Sequence, residues 1–471
     1  MTSKTFIYVG CLAVTWLLAR WWASPKAQKI LFLIVSYILY ASWGVGFLGI
    51  LIFSSLANYG LGMLLRRQPS AARLWLGIGF NIALLGSFKL LPALAGTSVF
   101  HFAGASRLAE IALPLGISFW TFQALSYLFD VYQGQEVDPS LLEFCLYMAF
   151  WPTVLSGPIC RLPDLLPQFR QLSRASREDL RSGIDRVFIG LFMIALARVV
   201  GGGLRPGEGV DSAFGATAMK WGGTDVWVLV CAYGFQLFLD FAGYSHLVIG
   251  AAQLFGFHLP ENFDRPYLST SPSVFWTRWH MSLSFWIRDY LFMPLATLRR
   301  ESWWRNLALL LSMVIFGLWH KVAFLFLVWG TYQGILLLLH RRWQALRRSR
   351  GWQFPAALDG FMGWLATFAA INLGWIWFRA ADGKQAVEML ASVFRPSGYL
   401  ALRLPSSLYL LTVVVVGGYF SVVHLLAWLK TRSPELALRA PLELRAVGYA
   451  VLLYVAFLHS AEPQSFIYFQ F

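Results

Sequence analysis

The chain has 471 residues, 58% of them hydrophobic and 13% charged, and a formal net charge of +15. Soluble domains average about 25% charged residues, so half that share alongside 22 tryptophans excludes an ordinary soluble enzyme and predicts a polytopic membrane protein. The Lys and Arg excess falls in short clusters between apolar runs, which is a topology signal rather than a nucleic-acid surface.

Apolar runs approaching the ~20 residues that cross a bilayer begin at once. The first, from about Phe6 to Trp22, has no small-residue cleavage site and is expected as a retained helix, not a signal peptide. A hairpin from about Ile30 to Leu64 follows, then a run from Leu74 to Leu91 and an exterior loop over Thr97 to Arg107. With "RRQPSAAR" and the basic tract Arg161 to Arg186 both cytoplasmic, "LPLGISFWTFQALSYLFDVY" and "LLEFCLYMAFWPTVLSGPI" cannot both cross fully. Their Pro and Gly residues suit a re-entrant or half-spanning element. Val187 to Val200, Val226 to Leu254, Phe361 to Phe378, Leu408 to Leu429 and Ala446 to Leu458 are further expected spans. The Gly content of "GGGLRPGEGVDSAFGATAMKWGGTD" reads as an exterior loop, and "FRAADGKQAVEMLASVFRPSG" as an amphipathic segment on the membrane surface.

The expectation is therefore an all-α membrane protein of about 11 to 13 transmembrane and re-entrant helices, folded as a single domain over residues 1–471. Cys11, Cys145, Cys160 and Cys231 lie in or beside apolar segments without ligand spacing and read as buried small hydrophobes. The eight histidines are scattered, and no metal is expected.

Polar groups inside apolar runs are the candidate functional residues, because burying them in hydrocarbon is expensive unless they do something. His320 falls in "GLWHKVAFLFLVWG" between two basic clusters, so the chain must turn near it, and Trp319 would wall a cavity beside it. Position alone leaves two roles open for it, a functional imidazole or a structural one bonded to a carbonyl. In "FWTRWHMSLSFWIRDYLF", a helical reading puts His280, Ser284 and Arg288 on one face at four-residue spacing. That stretch, with Arg278 and Asp289, suits a re-entrant helix lining a pocket or, equally, a salt-bridged helix at the membrane edge. Asp240 and Tyr244 are i and i+4 in "FQLFLDFAGYSHLVIG", and Gln123 and Asp130 share another apolar run; together they imply a polar interior. "GVGFLG" matches a dinucleotide fingerprint only formally, with no strand–helix context, and HExxH and GxSxG are absent.

The ordered blocks "LPLGISFWTFQALSYLFDVYQG", "FWPTVLSGPICRLPDLLPQ", "PENFDRPYLSTSPSVFWTRWHMSLSFWIRDYLFMPL" and "GLWHKVAFLFLVWGTYQG" resemble the membrane-bound O-acyltransferase family, within it the bacterial alginate O-acetyltransferase branch. The resemblance implies a family core over about residues 113–340, flanked by N-terminal helices in 1–112 and C-terminal helices in 341–471. It implies that His320 is the catalytic histidine and His280 the second histidine of the site. Trp319, Arg278, Ser284, Arg288, Asp289, Asn262, Asp240, Tyr244 and Gln123 would line the reaction chamber or hold substrate. It further implies no tightly bound cofactor, a cytoplasmic thioester such as acetyl-CoA as donor, and a multi-pass location in the bacterial inner membrane. The donor phosphates would meet Arg299, Arg300 or Arg305. The expected partners are exported SGNH-type acetyltransferases of a polysaccharide synthesis and secretion complex, with membrane lipids around the bundle and no nucleic acid; alginate and cellulose are the polymers indicated. Three alternatives differ in chemistry: D-alanyl or other acyl transfer from a carrier protein, a polysaccharide or lipid transporter, and a secretion scaffold.

Overall fold

The long apolar runs fold as long helices, and the Pro- and Gly-rich stretches between them fold as short ones. The computed structural model describes residues 3–21, 24–95, 113–172, 174–216, 221–432 and 448–450. The expected loop over Thr97 to Arg107, most of the expected span from Ala446 to Leu458, and the C-terminal "PQSFIYFQF" lie outside the described residues. Among the described residues the regular elements are all helical. In chain order the α-helices are α1 (Ser3–Trp21), α2 (Pro25–Ala41), α3 (Val45–Arg67), α4 (Ala71–Ala95), α5 (Ile117–Tyr132), α6 (Leu141–Ala149), α7 (Leu162–Arg170), α8 (Arg177–Gly202) and α9 (Val210–Gly215). They continue with α10 (Gly223–Gln253), α11 (Pro272–Trp276), α12 (Met281–Ile287), α13 (Met293–Thr297), α14 (Ser302–His320), α15 (Phe324–Arg350), α16 (Ala356–Arg379), α17 (Gly383–Val393) and α18 (Ser406–Arg432).

Among the described residues six stretches are long and apolar enough to cross a bilayer: Val45–Arg67, Ala71–Leu90, Gly223–Gln253, Phe324–Arg350, Ala356–Arg379 and Ser406–Leu429. The chain is a multi-pass membrane protein. The nine residues of α6 rise only about 13 Å, less than half the hydrocarbon thickness, and Pro152 and Gly157 follow in a run of turns.

The chain packs as two compact units, one of Met1–Val187 with Val248–Glu261 and one of Phe188–Leu247 with Asn262–Phe471. In the first, Asn58 of α3 and Asn81 of α4, both fully buried, exchange side-chain hydrogen bonds of 3.2 and 2.7 Å. Paired amides of this kind fasten helices where lipid offers no hydrophobic drive. Ser140 and Glu143 form a capping box at the start of α6, and Lys29 of α2 donates to Glu143 at 2.8 Å. Burial would raise the Glu143 pKa, but the hydrogen bonds from Lys29 and Ser140 outweigh it and hold the carboxyl down at about 2.

The second unit is organised by close helix approaches at glycine. A Cβ on Gly243 of α10 would sit 2.9 Å from the carbonyl oxygen of Gly190 in α8. In the α14–α15 hairpin, a Cβ on Gly317 would lie 3.1 Å from the Gly330 backbone and would overlap the carbonyl oxygen of Phe326. Only glycine permits backbones this near. α17 departs from its expected place: Ala386, Met389 and Val393 form its apolar stripe, and all three are buried inside the unit rather than left for lipid. Asp382 caps this helix by accepting from the Gln385 backbone N–H at 2.8 Å.

Candidate active site

His320 is the last residue of α14, and Lys321 to Ala323 turn the chain back into α15. The turnaround read from the basic clusters is where the imidazole sits. Its ring is 4% exposed and is enclosed by side chains of three helices. Trp319 and Phe316 come from its own helix, at centroid distances of 4.7 and 5.0 Å. Trp329 of α15 stands edge-on at 5.6 Å and Phe378 of α16 at 5.3 Å. Aromatic walls of this kind exclude water and lower the local dielectric, which strengthens any electrostatic contact made inside them. Trp319 packs directly against the histidine ring, and Trp329 and Phe378 reach the ring from elsewhere in the chain.

His280 is built differently from its helical reading. The stretch 275–292 is not one helix: α11 ends at Trp276, residues 277–280 turn, α12 begins at Met281, and a wide π turn covers Arg288–Phe292. His280 is the N-cap of α12 with φ 43°, in the left-handed region, so it cannot share a continuous helical face with Ser284 and Arg288. Among the described residues only His280 and Arg265 are non-glycine residues there. Such a conformation is uncommon for a residue that carries a Cβ, and here the surroundings hold it.

Asn262 supplies that constraint. It is fully buried, and its backbone oxygen accepts from Met281 N–H at 2.9 Å. Its side-chain oxygen accepts from the Ser282 hydroxyl at 2.6 Å, and its amide donates to Ser245 of α10 at 3.1 Å. Next to it, Asp264 N–H donates to the Arg278 carbonyl at 3.0 Å. The His280 turn is thus tied to a central helix by one amide side chain. The imidazole meets Phe241 of α10 edge-on at 4.6 Å, and burial pushes its pKa down to about 3, so it is neutral at pH 7.

The two histidines are linked by a chain of indoles. Trp329, beside His320, stacks on Trp375 of α16 at 6.2 Å. Trp375 lies 5.1 Å from Trp279, the residue before His280. Trp276 reaches Trp329 at 6.0 Å, closing the wall from the α11 side.

The other predicted residues divide. Arg288 and Asp289 pair with each other at 2.6 and 3.2 Å, and the Arg288 guanidinium lies 4.8 Å over Phe285. Ser284 donates to the Trp279 carbonyl at 3.0 Å, supporting the turn from below. Asp240 is buried and Tyr244 half-buried on α10. Arg299, Arg300 and Arg305 are exposed, with the Arg299 guanidinium 5.0 Å over Trp304. Gln123 is buried in α5 and belongs to the first unit, whereas the rings around His320 all come from the second.

Sequence reasoning passed over Trp329, Trp375 and Phe378, since aromatic residues in an apolar run carry no periodic signal of their own. It also passed over Gln333 and Asn372, although a lone amide in "FLFLVWGTYQGILLLL" and another in "ATFAAINLGW" were the available sign.

A multi-pass helical protein that buries one histidine at a helix turn and a second, neutral one beside linked indoles has the framework of an integral-membrane transferase. Residues 103–377 match the model of MBOAT, the membrane-bound O-acyltransferase family, and the chain belongs to that family and is an acyltransferase. It is 32% identical to "Probable alginate O-acetylase AlgI" of Pseudomonas putida, over 79% of this chain and 76% of that protein. It is 29% identical to "Peptidoglycan O-acetyltransferase" of Helicobacter pylori, over 83% and 78% of the two chains. The "Teichoic acid D-alanyltransferase" of Streptococcus thermophilus is 32% identical over 49% of this chain and 57% of that protein.

Proposed function

We propose that the chain moves an acetyl group from a cytoplasmic acyl thioester, acetyl-CoA, toward O-acetylation of an exported exopolysaccharide, alginate or cellulose, with His320 as general base. The observation that carries this is the place of His320 at a helix turn inside an aromatic wall, where an acceptor hydroxyl can be held away from water. In this reading His320 takes the hydroxyl proton as the oxygen attacks the thioester carbonyl. The tetrahedral intermediate then expels the thiolate, which recovers the proton from the imidazolium. The indole N–H of Trp329, buried with no acceptor among the described residues, is available to the developing oxyanion. His280, neutral at pH 7, is a positioning residue that orders the turn next to Trp279.

The coverage of the alginate O-acetylase relative over 79% of the chain, against 49% for the D-alanyltransferase, favours acetyl over D-alanyl transfer. The peptidoglycan O-acetyltransferase relative keeps a cell-wall glycan as a second acceptor. The reading includes an inner-membrane location and exported SGNH-type partners that place the group on the polymer. The test is CoA release from radiolabelled acetyl-CoA by the purified protein in detergent, wild type against His320→Ala. Turnover that disappears in the variant while its melting temperature stays is the expected result; equal turnover in both proteins overturns the assignment.

A further inference from the structure

Gln333 lies on α15 one turn beyond Trp329, on the same side of the helix as the wall of the His320 site. It is fully buried, and neither its amide N–H nor its amide oxygen has a hydrogen-bond partner among the described residues. The interior is shaped to admit this side chain: a Cβ on Gly374 of α16 would stand 2.7 Å from Gln333 Nε2. Two further polar atoms sit nearby on the same framework. Asn372, two residues before Gly374, is fully buried with its Oδ1 unpartnered among the described residues, its Nδ2 donating to the Phe368 carbonyl at 2.8 Å. The Tyr267 hydroxyl is buried beside them next to the Trp375 indole, and a Cβ on Gly234 would meet it at 2.7 Å and Asn372 Oδ1 at 2.8 Å. A primary amide left unpaired in an aromatic interior forgoes the hydrogen bonds it makes in water and so destabilises the fold. Gln333, with both faces of its amide unpartnered among the described residues, and Asn372, with its oxygen unpartnered, point to a ligand that completes them.

We propose that Gln333, with Asn372 and Tyr267 behind it, binds an amide of the pantetheine arm of the acyl thioester donor; this rests on the thioester reading given above. The chemistry matches in kind and in place. Gln333 offers one donor face and one acceptor face, and a secondary amide presents the same pair reversed, so one ligand group satisfies both. The arm carries its first amide nitrogen roughly 4 Å from the thioester sulfur and its second several bonds further. Trp329, against His320, is one helical turn from Gln333, about 6 Å along the axis. A thioester carbonyl at His320 therefore brings an amide to the level of Gln333. Beyond Gln333 the same helix runs on to Arg341, Arg342, Arg347, Arg348 and Arg350, so an arm lying along it would have its phosphate end toward cations. The amides are common to CoA and to carrier-borne pantetheine, so Gln333 recognises the arm and not its owner. A sugar hydroxyl could also pair with a glutamine, but the acceptor would not need the basic end of α15.

The test uses the full-length protein in detergent and two variants, Gln333→Leu and Gly374→Ala, the second displacing the amide without removing it. Binding of coenzyme A and of pantetheine is measured by calorimetry, and thiol release is followed from acetyl-CoA, S-acetylpantetheine and the amide-free S-butyl thioacetate. Both variants should weaken coenzyme A and pantetheine about 10- to 100-fold, and Gln333→Leu should lower turnover of acetyl-CoA and S-acetylpantetheine at least about 10-fold more than turnover of S-butyl thioacetate. An equal loss on all three thioesters, unchanged affinity for coenzyme A, or a rise in acceptor KM alone overturns the assignment of Gln333. Wild-type protein that binds neither coenzyme A nor pantetheine overturns the thioester reading itself, which is a separate outcome.

Discussion

Gly317→Ala is the sharpest perturbation that the geometry of the α14–α15 hairpin offers. One methyl group would stand 3.1 Å from the Gly330 Cα and N and would overlap the Phe326 carbonyl oxygen, against an ordinary contact of 3.4 Å or more. Backbone cannot rotate away as a side chain does, so the helices must part by roughly half an ångström to one ångström, at a cost of about 1–3 kcal/mol of overpacking. Alanine returns up to ~1 kcal/mol through its better helix propensity, so the net loss of stability is small and the protein stays folded. His320 is three residues from the new methyl group, and Trp329 precedes Gly330. Parting the helices therefore moves the histidine relative to the wall facing it, and a displacement near 1 Å is worth about 100-fold in rate. The assay pairs acetyl-CoA turnover with thermal unfolding in detergent. A fall in turnover of about 10- to 100-fold with a melting temperature within a few degrees of wild type is expected. Wild-type turnover in Gly317→Ala would refute the claim that this glycine contact sets the position of the histidine.

Other outcomes follow from single residues. His280 holds φ 43°, so His280→Asn, whose side chain tolerates the left-handed region, should unfold at a higher temperature than His280→Ala; the reverse order would mean that the Phe241 contact, not the backbone, dominates the position. Glu143 has a folded-state pKa of about 2, below its ordinary 4.5, so its stabilising contribution is complete above pH 4.5 and is lost as the pH falls toward 2. Melting temperatures between those limits should decline less steeply in Glu143→Gln than in wild type, and parallel slopes would show that the Lys29–Glu143 pair contributes nothing.

Much of this molecule is legible in its sequence. The apolar runs of ~20 residues and the basic clusters between them predict the helices and where the chain must turn, because hydrocarbon thickness and the cost of moving charge across it act on local composition. The same clusters put His320 near a turn of the chain, and α14 ends on it just before the chain turns into α15. Other features depend on contacts between residues far apart in the chain. Nothing in "RWHMSL" announces a left-handed residue at His280, since the conformation is imposed by Asn262 and Ser245, the latter 35 positions away. The sequence offers no linker between the two compact units because each is assembled from separated segments. The wall of the histidine site is decided in the same way: Trp329, Trp375 and Phe378 are indistinguishable from other apolar aromatics along the chain, and only the close approach of α14, α15 and α16 turns them into one surface. Periodicity and charge are local quantities and so determine helices, spans and turns; partners in contact are set by packing, which tertiary structure alone decides.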